Sequence, residues 1–229
     1  MRFNGLSLIF LLFLLAGCLP QATAIPPTET EPAPTATRTP IPRPTRTKVP
    51  TCLDRAIFGD PAESPYILPF PVGERHMVDQ NYCQVGTSHS DQLAYDFAMK
   101  FGDEVTAARA GRVAEVVDFY ADDDTNSSHF NYILVVHEDG TVAFYAHLKQ
   151  DGIVVKLDDI VEPGQVIALV GHSGMPANYK SVLHFGVYAS WPPIEGHDVP
   201  INFKNAGGIL DSRNGLGAGR YYEASPWQP

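Results

Sequence analysis

The sequence predicts an antiparallel all-β domain, built as a sandwich or a partly open barrel, and three observations support that class. First, short apolar stretches rich in β-branched and aromatic residues follow one another from residue 93 to residue 188, with turn residues between them. Second, the turn Glu138-Asp139-Gly140 joins two such stretches, as in a β-hairpin. Third, no part of this region repeats apolar residues with the helical period.

The predicted strands follow one another closely along the chain. They cover residues 93–99, 111–119, 131–137, 141–148, 152–155, 159–161, 165–170 and 181–188. Pro163 and Gly164 form a turn before the seventh strand. A chain of 229 residues that is 44% hydrophobic is long enough for one sizeable domain with a core.

Three strands share one pattern when they are read with a period of two. Asp96 lies opposite the apolar residues of 93–99, and His184 lies opposite Leu183 and Phe185 of 181–188. In 141–148, the same reading places Tyr145 and His147 opposite the apolar face that includes Phe144. We therefore expect a groove-facing side on each strand with one ionisable group.

His89 precedes Asp96 by a few residues and could reach the same groove. A carboxylate with two imidazoles is a ligand set that zinc accepts, and a catalytic zinc keeps one position open for water. The alternative is that each histidine is an ordinary exposed or hydrogen-bonded residue without a ligand.

The two ends of the chain differ in composition. Residues 1–18 form a short apolar stretch that ends in Leu-Ala-Gly-Cys and resembles a bacterial lipoprotein signal, with cleavage before Cys18 and acylation of that cysteine. An ordinary secretory signal and an uncleaved anchor are the alternatives. Acyl chains on Cys18 would tether an extracytoplasmic protein to the membrane surface.

Residues 19–51 are mostly Pro, Thr, Ala and small polar residues, which predicts a disordered linker. Residues 52–229 form the predicted domain, with 11 Lys and Arg against 24 Asp and Glu, a net charge near −13. This charge would repel phosphates and argues against a nucleic-acid partner. Cys52 and Cys83 could form a disulfide outside the cytoplasm, and free thiols are the alternative.

Residues 88–116, 131–174 and 183–188 together resemble the lysostaphin-type zinc metallopeptidases, which are cell-wall endopeptidases with the duplicated hybrid motif β fold. The resemblance extends over about residues 70–190. It implies a groove across one sheet, one zinc ion per domain, and hydrolysis of peptide bonds in peptidoglycan. A lipid-anchored linker that faces the cell wall suits such a substrate.

The resemblance also implies roles for individual residues. His89, Asp96 and His184 correspond to the metal ligands, and His147 in Tyr-Ala-His-Leu corresponds to a catalytic histidine. The spacing from His89 to Asp96 is wider than the commonest His-x-x-x-Asp form, in which Gln92 would take the place of the histidine.

The family's closing His-x-His-Phe matches residues 182–185, but its first histidine, a second catalytic residue, is Val182 here. A valine cannot transfer a proton, so its presence could lower the rate about 10²- to 10⁴-fold. His172, His197 or Tyr145 could fill the gap. A degenerate domain that binds the cell wall or regulates a hydrolase is the first alternative function, and a metal-free carrier or sugar-binding domain is the second.

Overall fold

The computed structural model describes residues 50–194 and 196–228. The predicted signal at 1–18 with Cys18, and all but the last two residues of the predicted linker, lie outside the described residues. Among the residues described, no helix combines the length and the hydropathy that crossing a membrane requires.

The described chain is almost entirely strand and loop. Its elements are α1 (Cys52–Arg55), a 3₁₀ helix (Pro61–Glu63), β1 (Arg75–Gln80), β2 (Ala94–Ala98), β3 (Glu104–Thr106), β4 (Gly111–Val117), β5 (Asn131–Val136), β6 (Val142–Ile153), β7 (Ile160–Val161), β8 (Val166–Val170), β9 (Val182–Tyr188), β10 (Ala206–Gly207) and β11 (Tyr221–Ala224).

The main sheet has the strand order β10-β11-β1-β2-β9-β6-β5-β4-β7, and β8 branches from β6 to pair with β3. Every pairing between the described strands is antiparallel. The predicted all-β antiparallel class is therefore confirmed. The central strands β2, β9 and β6 are far from the two ends of this order, which is where the candidate site lies.

The core lies against one face of these central strands. Tyr95, Phe97, Phe185 and Phe203 form a cluster of tilted aromatic rings with centroids 5.8 to 6.2 Å apart, and each of them is at most 1% exposed. Burying a side chain of this size contributes about 1.5–3 kcal/mol to folding. Phe203 comes from the tail after β9, so the tail completes the core beneath the site.

Four strands were not found from the sequence. Strand β1 and the tail strands β10 and β11 extend the sheet beyond β2, and β3 pairs with β8. The stretch Arg75–Gln80 is polar at most positions, and its pairing is decided by the neighbours β2 and β11. Its alternation alone is therefore too weak to predict a strand.

The turns that the sequence does predict have the expected backbone. Gly140 between β5 and β6 and Gly164 before β8 both have a φ of 83°. Only glycine adopts this conformation without steric cost. The β5–β6 hairpin in particular fixes the position of β6 beside β5.

The chain before β1 is held to the domain by a disulfide. Cys52 in α1 is bonded to Cys83, with Cα atoms 5.6 Å apart and a sequence separation of 31. Helix α1 begins with a capping box, in which Thr51 accepts from the Asp54 backbone N–H and the Asp54 carboxylate accepts from that of Thr51. This one-turn helix therefore has a defined place beside the loop that follows β1.

Candidate metal centre

Strands β2 and β9 bring two of the predicted ligands together. Asp96 is directly opposite His184 in the antiparallel register, so both side chains lie on one face of the sheet. His184 Nδ1 lies 2.9 Å from Asp96 Oδ1. The next pair along, Tyr95 and Phe185, faces the core and is fully buried. The alternation predicted for these two strands is confirmed.

His89 lies in the loop of residues 81–93 between β1 and β2, and it reaches the same point. Its Nε2 lies 3.1 Å from His184 Nδ1 and 3.2 Å from Asp96 Oδ1. The three donor atoms all lie within 4.8 Å of one another, and the ring of His89 is 1% exposed. The structure thus brings all three predicted ligands to one point.

These donors fit a zinc ion by type and by spacing. Two imidazole nitrogens and one carboxylate oxygen are ligands that zinc accepts, at about 2.0–2.2 Å. Tetrahedral bonds of that length keep neighbouring donor atoms about 3.3 Å apart, close to the 2.9–3.2 Å seen here. Three protein ligands leave one position open, as in catalytic sites.

The charge state of Asp96 also suits a cation. Burial alone would raise the pKa of its carboxyl, but the hydrogen bonds and charges of His184 and His89 outweigh burial and hold that pKa well below its usual value. Asp96 is therefore an anion at neutral pH, although it is buried.

His147 enters the groove through a β-bulge. Asn131 and Tyr132 are consecutive in β5, yet they lie opposite Leu148 and Ala146 of β6, so His147 is an extra residue in its strand. Its φ is 63°, in the left-handed region that residues other than glycine rarely adopt. Such strain occurs often at functional sites.

The ring of His147 is oriented by a backbone carbonyl. Its Nδ1–H donates to the carbonyl oxygen of Ser173 over 2.9 Å, so Nε2 has the free lone pair. Burial, together with the neighbouring His184, lowers the pKa of His147 to about 4. The ring packs against Phe130 and His184, with centroids 5.8 and 6.3 Å away.

The same bulge makes the prediction for the rest of β6 wrong. Tyr145 was expected in the groove, but it is fully buried on the core face, and its hydroxyl accepts from the Ala108 backbone N–H over 2.9 Å. Phe144 was expected in the core, but it packs against His184 with centroids 5.6 Å apart. Counting back from His147 with a period of two assigns each residue to the wrong face of β6, because the extra residue at the bulge shifts the alternation by one position.

Val182 is on the groove face of β9 by register but is fully buried, opposite Ala98. It is not among the residues that line the cavity next to Asp96, His184 and His147. That cavity has a volume of about 420 Å³. Its lining residues are Gln80, Ser88, Gln92, Asp96, Ser127, Phe130, Phe144, Ala146, His147, Gly174, Met175, Pro176, Tyr179 and His184.

None of the three residues suggested for the gap at position 182 lines this cavity. Tyr145 is in the core, and His197 is exposed on the loop after β9. His172 Nε2 hydrogen-bonds to the backbone carbonyl of Tyr179 over 2.9 Å. His172 therefore supports the loop before β9 and does not face the donors.

Tyr179 is one of the cavity residues that the sequence did not indicate. Its hydroxyl donates to Asp79 Oδ2 over 2.5 Å and accepts from Gln80 Nε2 over 3.3 Å. Burial and the hydrogen bond to Asp79 raise the pKa of Tyr179 to about 12, so the phenol stays protonated. No local pattern marks Tyr179, because it reaches the site from a loop by packing on β1.

Comparison with models of protein families gives a match to one family. The model of peptidase family M23 matches residues 90–199. This range contains Asp96, His147 and His184, whereas His89 precedes it by one residue. A comparison with curated proteins finds no match.

Three solved structures illustrate the similarity. A mutant catalytic domain of the prophage-encoded M23 protein EnpA from Enterococcus faecalis is 22% identical, with 57% of this chain and 92% of that chain covered and a TM-score of 0.43. The catalytic domain of lysostaphin from Staphylococcus simulans is 25% identical, with 50% and 79% covered and a TM-score of 0.37. A zinc-containing peptidase from Vibrio cholerae is 25% identical, with 59% and 39% covered and a TM-score of 0.39.

Proposed function

Residues 90–199 of this chain belong to peptidase family M23, and from this premise we propose that the protein is a zinc-dependent metalloendopeptidase that hydrolyses peptide bonds of peptidoglycan. The observation that supports this most directly is the convergence of His89 Nε2, Asp96 Oδ1 and His184 Nδ1 within 4.8 Å of one another, beside a cavity that Asp96, His184 and His147 line. A carrier or sugar-binding domain has no need of that arrangement.

The ligands and the proton carrier have separate roles in this proposal. His89, Asp96 and His184 would hold the ion, and zinc supplies Lewis acidity, which polarises a carbonyl group and makes water a stronger acid. His147 Nε2 accepts a proton from the attacking water, because its Nδ1 is occupied by Ser173. The water oxygen bonds to the peptide carbon, the C–N bond breaks, and Nε2 returns the proton to the leaving amine.

The walls of the cavity contain both aromatic and polar side chains. Phe130 and Phe144 pack on His147 and His184 and keep water away from their rings. Gln80 and Tyr179 are linked by a hydrogen bond and offer polar groups to a peptide backbone. A low-dielectric wall beside the ionised ligands strengthens their electrostatic effect on a bound carbonyl.

A second cavity adjoins the candidate site along strands β2 and β9. A neighbouring cavity of about 400 Å³ shares Ser88 and Gln92 with the site and has Ala94 and Gly186 among its lining residues. Ala94 and Gly186 are paired across β2 and β9, two residues beyond Asp96 and His184. Two adjoining cavities along a pair of strands suit an extended peptide substrate.

The proposal also names the substrate, peptidoglycan peptides, and the location of the protein, the cell envelope. The resemblance to cell-wall endopeptidases favours peptidoglycan peptides as the substrate, and the negative charge of the domain disfavours nucleic acids. The lipoprotein-type signal with Cys18 favours a membrane-anchored protein outside the cytoplasm that faces the wall.

The test is the release of amino groups from purified peptidoglycan by the zinc-loaded full chain, with His184→Ala and Val182→His alongside. We expect cleavage by the wild type, none by His184→Ala, and a higher rate for Val182→His. Cleavage that survives removal of zinc by a chelator would refute the zinc mechanism.

The degenerate binding or regulatory domain stays the alternative function, because Val182 is buried where the family has a histidine. It predicts that the wild type binds peptidoglycan without cutting it. Cleavage by Val182→His alone would favour this alternative, since the scaffold would then be sound and the catalytic set incomplete.

A further inference from the structure

We propose that Arg55 in α1 is a positioning residue for His89, so that zinc affinity depends on a side chain that does not touch the ion. This inference rests on the metal site of the proposed function. It concerns how the loop of residues 81–93 keeps one ligand in place.

His89 lacks the contact that usually orients a metal-binding histidine. Such a histidine generally donates its other ring N–H to a carboxylate, a carbonyl or water. The Nδ1 atom of His89 is buried and has no hydrogen-bond partner among the described residues. The orientation of the ring therefore depends on packing and on the position of the loop backbone.

The hydrogen bonds inside the loop shape it without attaching it to the domain. The Cys83 N–H donates to the Gln92 carbonyl over 2.9 Å, and the Gln92 N–H donates to the His89 carbonyl over 3.2 Å. The His89 N–H donates to Thr87 Oγ1 over 3.1 Å. These bonds join loop residues to one another, so the loop needs other contacts to hold it against the sheet.

Arg55 supplies such contacts at the end of the loop. Its Nη2 donates to the Asp91 carbonyl over 2.9 Å and to Asp91 Oδ1 over 2.7 Å. Its Nη1 donates to Asp198 Oδ1, and the other oxygen of Asp198 accepts from the Leu93 N–H. Charge-assisted bonds of this kind are stronger than neutral ones, and a guanidinium presents them in a fixed fork.

The disulfide holds the opposite end of the same loop. Cys83 is bonded to Cys52, three residues before Arg55 in α1. The loop is therefore fastened to one helical turn at both ends, with His89 between the two attachments. Because the side chain of Asp198 is only 7% exposed, removing Arg55 would leave a buried carboxylate without its cation.

The experiment measures zinc affinity of the full chain by competition with a chromogenic chelator at pH 7. We expect Arg55→Met to bind zinc about 10- to 100-fold more weakly, the range seen when support of a ligand is lost. Asp91→Ala removes one carboxylate contact and keeps the carbonyl contact, so we expect a loss of about 3- to 10-fold. The Asp91 side chain is 79% exposed, so this variant should fold.

Arg112→Met is the matched control, since Arg112 forms an exposed ion pair with Asp158 on the far part of the sheet. It should bind zinc within twofold of the wild type. Zinc affinity is the deciding quantity because a purely structural role for Arg55 would lower the unfolding free energy and leave the affinity of the folded protein unchanged.

The outcomes separate the inference from the proposed function. Equal zinc binding by the wild type and His89→Ala would refute both the proposed metal site and this inference. Weak binding by His89→Ala, with Arg55→Met and Asp91→Ala both within twofold of the wild type, would overturn the inference and leave the site. Should Arg55→Met fail to fold, Asp91→Ala gives the answer.

Discussion

Asp96 and His184 lie on paired strands, whereas His89 lies on a loop, and the two regions hold their side chains by different means. The strand pair is held by the β2–β9 ladder and by core residues such as Tyr95 and Phe185 on its other face. The loop is held by the Cys52–Cys83 disulfide and by Arg55. The two proposed strand ligands are thus positioned by the regular sheet, and the proposed loop ligand by a few individual contacts.

The prediction with the largest expected effect tests whether the two regions contribute equally to the affinity for zinc. His184→Ala and His89→Ala should each weaken zinc binding on the order of 100- to 1000-fold, because site affinities of about 10–16 kcal/mol are shared among few ligands. Chelator competition measures the effect, with His129→Ala, at a half-exposed histidine of the loop before β5, as the control. A loss below tenfold for either ligand variant would show that the residue is not a ligand.

The second prediction concerns the loop alone. Replacing both Cys52 and Cys83 by alanine removes a crosslink that spans 31 residues. The unfolding free energy should fall by about 3–4 kcal/mol, because the unfolded chain regains the entropy of that loop. Urea denaturation of the full chain measures it. A loss below about 1 kcal/mol would mean that the crosslink constrains little, and that Arg55 and packing hold the loop without it.

The third prediction concerns how the unfolding free energy depends on pH through His137, a residue outside the candidate site. His137, at the β5–β6 hairpin, is buried, and its Nδ1–H donates to the Ala110 carbonyl. Burial lowers the pKa of His137 to about 4, from an ordinary value near 6.5. The unfolded chain therefore binds a proton first, and His137 costs the fold up to about 3 kcal/mol as the pH falls from 6.5 to 4.

The variant His137→Asn keeps a donor near the Ala110 carbonyl and removes this titration. Its unfolding free energy should fall less steeply than that of the wild type between pH 6.5 and pH 4. Urea denaturation at several pH values checks this. Parallel slopes for the two proteins would show that His137 keeps its ordinary pKa in the folded state.

The smallest effects compare one glycine from each region. Gly86 in the loop has a φ of 84° and open space around its Cα, so Gly86→Ala should cost about 1 kcal/mol of stability from backbone strain. Gly186 in β9 has no positive φ, and an added Cβ would lie 3.3 Å from the Cβ of Ala94. Gly186→Ala should therefore cost less than Gly86→Ala, as thermal denaturation would show. The reverse order would mean that the loop adjusts more easily than the strand pair.

Local sequence pattern was sufficient where a strand is regular and one of its faces is core. The alternation in 93–99 and 181–188 placed Asp96 and His184 each on the groove-facing side of its strand, and the structure pairs them. The same reasoning was wrong for Tyr145 and Phe144, because the bulge at His147 shifts the phase of β6. A bulge depends on how two strands meet, so no property of β6 alone reveals it.

Composition, alternation and turn residues by themselves determined that this chain forms an antiparallel β domain, and alternation placed Asp96, His147 and His184 on groove-facing sides. His89 was added because it precedes Asp96 by a few residues, and the roles of all four residues came from the resemblance to the family. Composition, alternation and turn residues are local features, since they depend on side-chain chemistry and on a backbone period of two. Only the tertiary structure decided that Tyr179 lies at the site, that Tyr145 does not, and that Arg55 braces the loop of His89. The last three depend on contacts between residues that are distant in sequence, and the physical reason is that packing, rather than local preference, selects such contacts.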